Sequence, residues 1–141
     1  MLSNTSKYAI RAVIYLAVHS EQNKKTGIKQ ISKELGIPTP FLGKILQTLA
    51  KHKILSSTKG PHGGFGMGKK ASDISLIEIV DIIDGRDLFN KCLIRLDDCN
   101  ANEPCSMHSK YAEIRKNLLS LFERQKISEL VDEIKEKKGN L

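Results

Sequence analysis

Residues 27–65, GIKQISKELGIPTPFLGKILQTLAKHKILSSTKGPHGGF, decide the fold. In 28–35, Ile28, Ile31 and Leu35 recur at i, i+3 and i+7, one face of a short helix. Gly36 comes next, a residue that accepts the left-handed backbone just past a helix end. Thr39 then reads as the cap of a second helix, with Pro40 at its first position, where no backbone N–H is needed. Leu42, Ile45, Leu46 and Leu49 form the buried stripe of that helix. Its other face carries Thr39, Pro40, Gly43, Lys44, Gln47, Thr48 and Lys51, with no acid among them. Two helices around a tight turn are a common hairpin. They are also the helix-turn-helix that lays its second helix in a DNA major groove, where Gln and Lys read base edges and Thr reaches bases or phosphates.

Residues 54–68 favour the DNA-binding alternative. The stretch 54–59, ILSSTK, reads as a short strand, and 65–68 as its returning partner. Between them Gly60, Pro61, His62, Gly63 and Gly64 make a tip rich in turn residues. A helix-turn-helix with a hairpin directly after it is a winged helix. The tip glycines would let the backbone approach a phosphate or minor groove, with Lys59 and His62 supplying charge or hydrogen bonds.

The charge distribution agrees. Residues 1–70 hold 12 lysines and arginines against 2 acids, a balance of +10; residues 71–141 hold 11 against 14, a balance of −3. One half therefore suits a polyanion, expected to be double-stranded DNA. A membrane surface is the competing polyanion, but no helix combines a basic face with exposed aromatics. The apolar run 12–18 is too short to span a bilayer, and no cleavage site comes after it. The expectation is a cytoplasmic protein with reduced thiols.

Upstream, Asn4 or Thr5 is expected to cap a helix running to about residue 20, apolar almost all round and hence buried. His19 and His52 fall at helix ends, where capping or solvation is the plain reading. Downstream, Ser75 and Glu78 fit a capping box opening a helix through Ile83, closed by Asp84-Gly85. A loop over 86–107 precedes a long helical pattern from about His108, with Tyr111, Ile114, Leu118, Leu121 and Phe122 at near-heptad spacing. A single long helix with one apolar stripe calls for a second copy, so a homodimer is expected. Ser128 is expected to cap a last helix carrying Leu130, Val131 and Ile134, and the tail 135–141 to be frayed. The domain reading is 1–84 for DNA binding, 85–107 for a sensor loop, and 108–141 for dimerisation and tail.

All three cysteines, Cys92, Cys99 and Cys105, lie in that one loop, with His108 three residues past the last. Three thiolates and an imidazole suit zinc or an iron–sulfur cluster. Intervals of five and six residues are looser than the C-x2-C of zinc knuckles. Free thiols are the remaining alternative, and Asp97, Asp98 and Glu103 are nearby oxygen donors. A metal-dependent enzyme lacks a companion motif such as H-x-E, and there is no phosphate loop or nucleophile–base pair, so no catalytic residue is assigned. A protein-binding winged-helix adaptor is at odds with the +10 half.

KGPHGGF at 59–65 resembles the wing signature R-G-P-x-G-G-Y of the Rrf2 family of bacterial winged-helix regulators. KYAIRA at 7–12 resembles its opening R-Y-A-L-R-A, and FLGKIL at 41–46 its recognition-helix Y-L-E-Q-I-L. The resemblance runs from about residue 7 to 131. It implies a mainly α fold: a winged helix-turn-helix with a two-stranded wing and a long C-terminal dimerisation helix. It implies a DNA-binding transcriptional regulator acting as a homodimer on a palindromic operator. Cluster-binding members carry C-x5-C-x5-C in this loop, some with a histidine three residues after the third cysteine. The resemblance thus implies an iron–sulfur cluster, 2Fe–2S or 4Fe–4S, on Cys92, Cys99, Cys105 and His108, with zinc or redox thiols as the alternative. Three departures are visible: the first cysteine interval is one residue longer, Gly43 replaces a glutamate, and Lys59 replaces the wing arginine.

Overall fold

The structure is a computed structural model describing residues 2–19, 24–98 and 100–137. Helices α1 (Asn4–Val18), α2 (Ile28–Leu35) and α3 (Thr39–Lys51) lead into strands β1 (Leu55–Thr58) and β2 (Gly64–Met67). A 3₁₀ turn at Ala71–Asp73 precedes α4 (Leu76–Asp84), α5 (Asp87–Asn90), α6 (His108–Arg124) and α7 (Ile127–Lys137).

The core forms around α1. Ala9, Ala12, Val13 and Leu16 are buried against Ile31, Leu42, Leu46, Leu49, Ile54 and Ile79. The alanines let neighbouring helices approach closely, and the large aliphatics fill the space between them. Ser3 is the N-cap, and its Oγ accepts from the Ser6 N–H at 3.0 Å, so neither Asn4 nor Thr5 caps. At the far end the His19 Nδ1–H donates to the Tyr15 carbonyl at 2.8 Å, the expected capping role. Position 20, the expected end of α1, lies outside the described residues.

The helix-turn-helix falls where predicted: Ile31 and Leu35 of α2 and Leu42, Ile45, Leu46 and Leu49 of α3 are buried, and Ile28 is half-buried. Gly36 closes α2 at φ +65°. The cap of α3 is different: Pro38 occupies the N-cap, Thr39 is the first helical residue, and its hydroxyl donates to Ser32 Oγ at 3.2 Å. Ser32 Oγ in turn donates to the Ile37 carbonyl at 2.5 Å, so a side-chain relay braces the turn.

β1 and β2 pair antiparallel, Leu55 opposite Met67 and Thr58 opposite Gly64. A third piece joins the wing. Thr26 and Phe65 exchange both backbone hydrogen bonds at 2.8 Å, which anchors the hairpin to the segment before α2. A bridge of one residue on each side has no periodicity, so no sequence pattern announces it.

Ser75 does precede α4, but it makes no side-chain cap, and Glu78 reaches Lys69 Nζ at 2.6 Å instead of closing a capping box. An ammonium within reach outcompetes a backbone N–H for the carboxylate. α5 is an unexpected turn of helix inside the 86–107 segment. It buries Phe89 edge-on against Phe122 of α6, with ring centroids 5.6 Å apart. Ile77, Val80 and Phe89 make a second small cluster that seats α6 through Leu118, Leu119 and Phe122. α7 returns to the main core with Ile127 and Val131. Ser128 lies inside α7. The carboxylate of Glu129 accepts the Lys126 N–H at 2.9 Å, which makes it the residue that satisfies the helix start. α7 continues to Lys137, so the expected frayed tail does not begin at 135; positions 138–141 lie outside the described residues.

Candidate nucleic-acid interface and metal centre

α3 buries Leu42, Ile45, Leu46 and Leu49 and turns its other face outward. Thr39, Pro40, Lys44, Gln47 and Lys51 are exposed there, and Gly43 and Thr48 are half-buried. Thr48 commits its hydroxyl proton to the Lys44 carbonyl at 2.8 Å, as Thr39 does to Ser32. The lysines and Gln47 are therefore the side chains that supply this face with donors. Phe41 is 64% exposed, one turn before Lys44, and lies outside the set nominated from sequence. An aromatic off the apolar stripe at a helix start is the signal that was available, and it suits apolar contact with a thymine methyl or a sugar.

The wing tip exposes Lys59, Gly60, Pro61 and His62. Its turn is closed by the Gly63 N–H donating to the Gly60 carbonyl at 2.9 Å. The glycines answer to the fold itself. A Cβ on Gly63 would collide with the Thr58 oxygen, and one on Gly64, at φ +149°, with the Thr26 oxygen. Gly60 differs: it has φ +105° and open space where a side chain would stand. Tip composition therefore reflects hairpin closure and its bridge to Thr26 before any ligand is considered.

Between α3 and the wing runs a groove of about 540 Å³, lined by Gln47, Lys51 and Lys53 on the helix side and Ser56 and Ser57 on the strand side. No carboxylate lines it among the described residues. Lys25, running past Gly66, donates to Ser56 Oγ on the strand side. A cleft with ammonium, amide and hydroxyl donors and no acid suits a phosphodiester strand.

The cysteine segment lies at the other end of α4. Cys92 and Cys105 are half-buried, with their sulfurs 3.0 Å apart in a thiol–thiol hydrogen bond. The hydrogen bond with Cys105 holds the Cys92 thiol below its ordinary range, helped by the backbone at Arg95 and Ile94 and by the Arg95 charge, against some desolvation. The segment is braced by the Cys92 N–H to the Asp97 carbonyl at 3.3 Å and by Arg95 to Asp97 Oδ2 at 2.7 Å. His108 opens α6, and its N–H donates to the Cys105 carbonyl at 3.0 Å. Cys99 lies outside the described residues. Among the described residues, no three His, Cys, Asp or Glu side chains converge as a metal-holding group. The fold thus brings Cys92 and Cys105 together and ties the His108 backbone to them, while Asp97 is engaged by Arg95.

Two thiolates on one tetrahedral ion, with metal–sulfur bonds of about 2.3 Å, stand about 3.8 Å apart. The pair would need to open by under about 1 Å, and it sits in a segment of bends with exposed neighbours. The donor set is soft and suits thiolate-bound iron or zinc.

The pattern of the Rrf2 family, described as an iron-dependent transcriptional regulator, matches residues 2–133. The chain belongs to the Rrf2 family. It is 32% identical over 134 residues to a candidate HTH-type transcriptional regulator of Aquifex aeolicus, covering 94% of this chain and 92% of that one. It is 27% identical over 131 residues to the HTH-type transcriptional regulator IscR of Photorhabdus laumondii, covering 93% and 79%. Among solved structures, CymR, the global cysteine regulator of B. subtilis, superimposes with a TM-score of 0.77 at 17% identity, covering 94% and 96%. This Rrf2 protein is accordingly a transcriptional regulator with a winged helix, not an enzyme. No helix of the described residues is long and apolar enough to cross a membrane.

Proposed function

We propose that this Rrf2 regulator acts in the cytoplasm as a homodimer on a palindromic DNA operator, and that an iron–sulfur cluster in the 92–108 segment sets its affinity. The observation that carries the DNA reading is the acid-free groove between α3 and the wing, continuous with the exposed Lys44 and Gln47 face. Lys44 and Gln47 reach base edges, and Phe41 and Pro40 make apolar contacts. Lys59, Gly60, Pro61 and His62 track the backbone at the flanking minor groove. Gly43, Thr39, Thr48, Gly63 and Gly64 shape the surface rather than donate to DNA.

The dimer reading rests on α6. None of its residues is buried within one chain, and Ile114 and Leu121 are 62% and 53% exposed on the same stripe as Tyr111 and Leu118. A second α6 packed antiparallel or crossed against this stripe removes that apolar area from water, and it sets the recognition helices in successive major grooves.

Cys92, Cys99, Cys105 and His108 would hold the cluster. When bound, it supplies a one-electron centre sensitive to oxidants and nitric oxide. The chain itself does the coupling. Cys92, Asp84, Ser3 and Tyr111 line one cavity of about 380 Å³ between the sensor segment, α4, α6 and the start of α1. A change in the Cys92–Cys105 separation therefore bears on the α1 N-terminus and on the α6 seat. The close Cys92–Cys105 contact also favours a second reading, in which the two sulfurs act as a metal-free dithiol, or hold zinc.

The test is protein purified without oxygen, analysed for iron, acid-labile sulfide and zinc, then assayed for retention of duplex DNA at two salt concentrations. Matched iron and sulfide, lost in Cys99→Ala and Cys105→Ala, support the cluster. Colourless protein carrying only zinc, or none that reconstitutes, leaves the second reading. Absence of salt-dependent duplex binding would sink the DNA reading.

A further inference from the structure

Two helices of this chain end on a residue at almost the same positive φ. α2 ends on Gly36 at φ +65°, and α3 just past His52 on Lys53 at φ +64°. Lys53 is the one non-glycine at positive φ among the described residues. A Cβ in this region crowds the carbonyl, which is why glycine is the usual occupant.

The fold demands the conformation. The Lys53 N–H donates to the Ala50 carbonyl and the Ile54 N–H to the Leu49 carbonyl, both at 3.0 Å, and these bonds turn the chain from α3 into β1. The Gly68 backbone then packs so closely that a Cβ there would stand 2.7 Å from the Lys53 oxygen. The fold does not demand a lysine. Its side chain is exposed and forms no ion pair or hydrogen bond among the described residues. It does line the groove between α3 and the wing, beside Lys51 and facing Ser56 and Ser57.

We propose that Lys53 holds a DNA phosphate in the groove between α3 and the wing, accepting a strained backbone to place an ammonium where glycine would leave a gap. The inference rests on the DNA reading of this groove and adds to it the seat of one backbone strand. The rival role for the side chain is local, a cation beside the carbonyl end of α3.

Lys53→Gly separates the two, because glycine relieves the backbone and removes the charge together. The probe is a duplex of about 30 base pairs selected by the wild-type protein from a random library, long enough for two half-sites. Binding is measured across a salt series for wild type, Lys53→Gly and Lys53→Arg, with melting temperature alongside. The expected result is a melting temperature raised by about 3–6 °C in Lys53→Gly, from the relieved strain. Its affinity falls about eightfold at about 0.1 M salt, and the salt slope falls by about one. Lys53→Arg keeps the wild-type slope. An unchanged slope in Lys53→Gly overturns the proposal, and an unchanged slope with a lowered melting temperature assigns the side chain to the helix end instead. Wild-type protein that selects no duplex overturns the DNA reading itself and this inference with it.

Discussion

Ser6 donates its hydroxyl proton to the Asp84 carboxylate at 2.6 Å, across 78 residues of sequence. Ser6 is fully buried in the first turn of α1, and Asp84 is the last residue of α4. Ser3, the cap of α1, donates to the same carboxylate oxygen. One acid thus ties the start of the central helix to the point where the chain departs for the cysteine segment.

Ser6→Ala should lower unfolding stability by about 1–3 kcal/mol, because it removes a hydrogen bond to a charged group at a buried site. Urea unfolding of wild type and variant reads this directly. An equal midpoint would mean that Asp84 finds water in place of Ser6.

Gly43→Ala should stabilise the protein. Gly43 lies in the middle of α3, and an added methyl meets only the tip of Ile28 at 3.4 Å, an ordinary contact. Replacing a mid-helix glycine is worth about 0.5–1 kcal/mol. A midpoint shifted the other way would show that Ile28 cannot accommodate the methyl.

Gly64→Ala should do the opposite. Its Cβ collides with the Thr26 backbone, so either the Thr26–Phe65 bridge breaks or the hairpin shifts. A loss of about 2 kcal/mol or more is expected. Hydrogen exchange should localise it to faster exchange at Thr26 and Phe65, with α6 unaffected.

Leu121→Lys should separate the two copies of the proposed dimer. The substitution puts a charge on the exposed apolar stripe of α6 without touching a buried side chain of its own chain. Sedimentation should report a monomer that retains its helical circular dichroism. A variant that stays dimeric would place the interface elsewhere.

Cys92 in metal-free protein should be alkylated faster than an ordinary cysteine near pH 7, because its thiol is held low chiefly by the hydrogen bond with Cys105. A depressed thiol is already thiolate below the usual cysteine range. The advantage over Cys105→Ala should therefore be present at neutral pH and vanish as pH rises past about 8.5. Peptide mapping of the Cys92 adduct at a series of pH values checks the sign. Equal rates at every pH would remove Cys105 as the cause.

What the sequence determined by itself is what depends on neighbours a few residues apart. Helical stripes at i, i+3 and i+4 placed α2, α3 and α6, because burial of one face is written at that period. The wing came from turn residues between two short strand-like runs, and the +10 half marked the side suited to a polyanion. Tertiary structure decided where partners came from far away. Ser3 rather than Asn4 caps α1, Glu78 pairs with Lys69 and Glu129 closes the start of α7, since several candidate caps compete and only geometry selects among them. The same holds for the wing glycines. Their number suggested a ligand, but Gly63 and Gly64 are required by the Thr58 and Thr26 carbonyls that the folded chain brings against them. Cys92 and Cys105 could be nominated together from their residue type. That their sulfurs meet at 3.0 Å depends on how α5 and α6 anchor the two ends of a segment with no periodicity of its own.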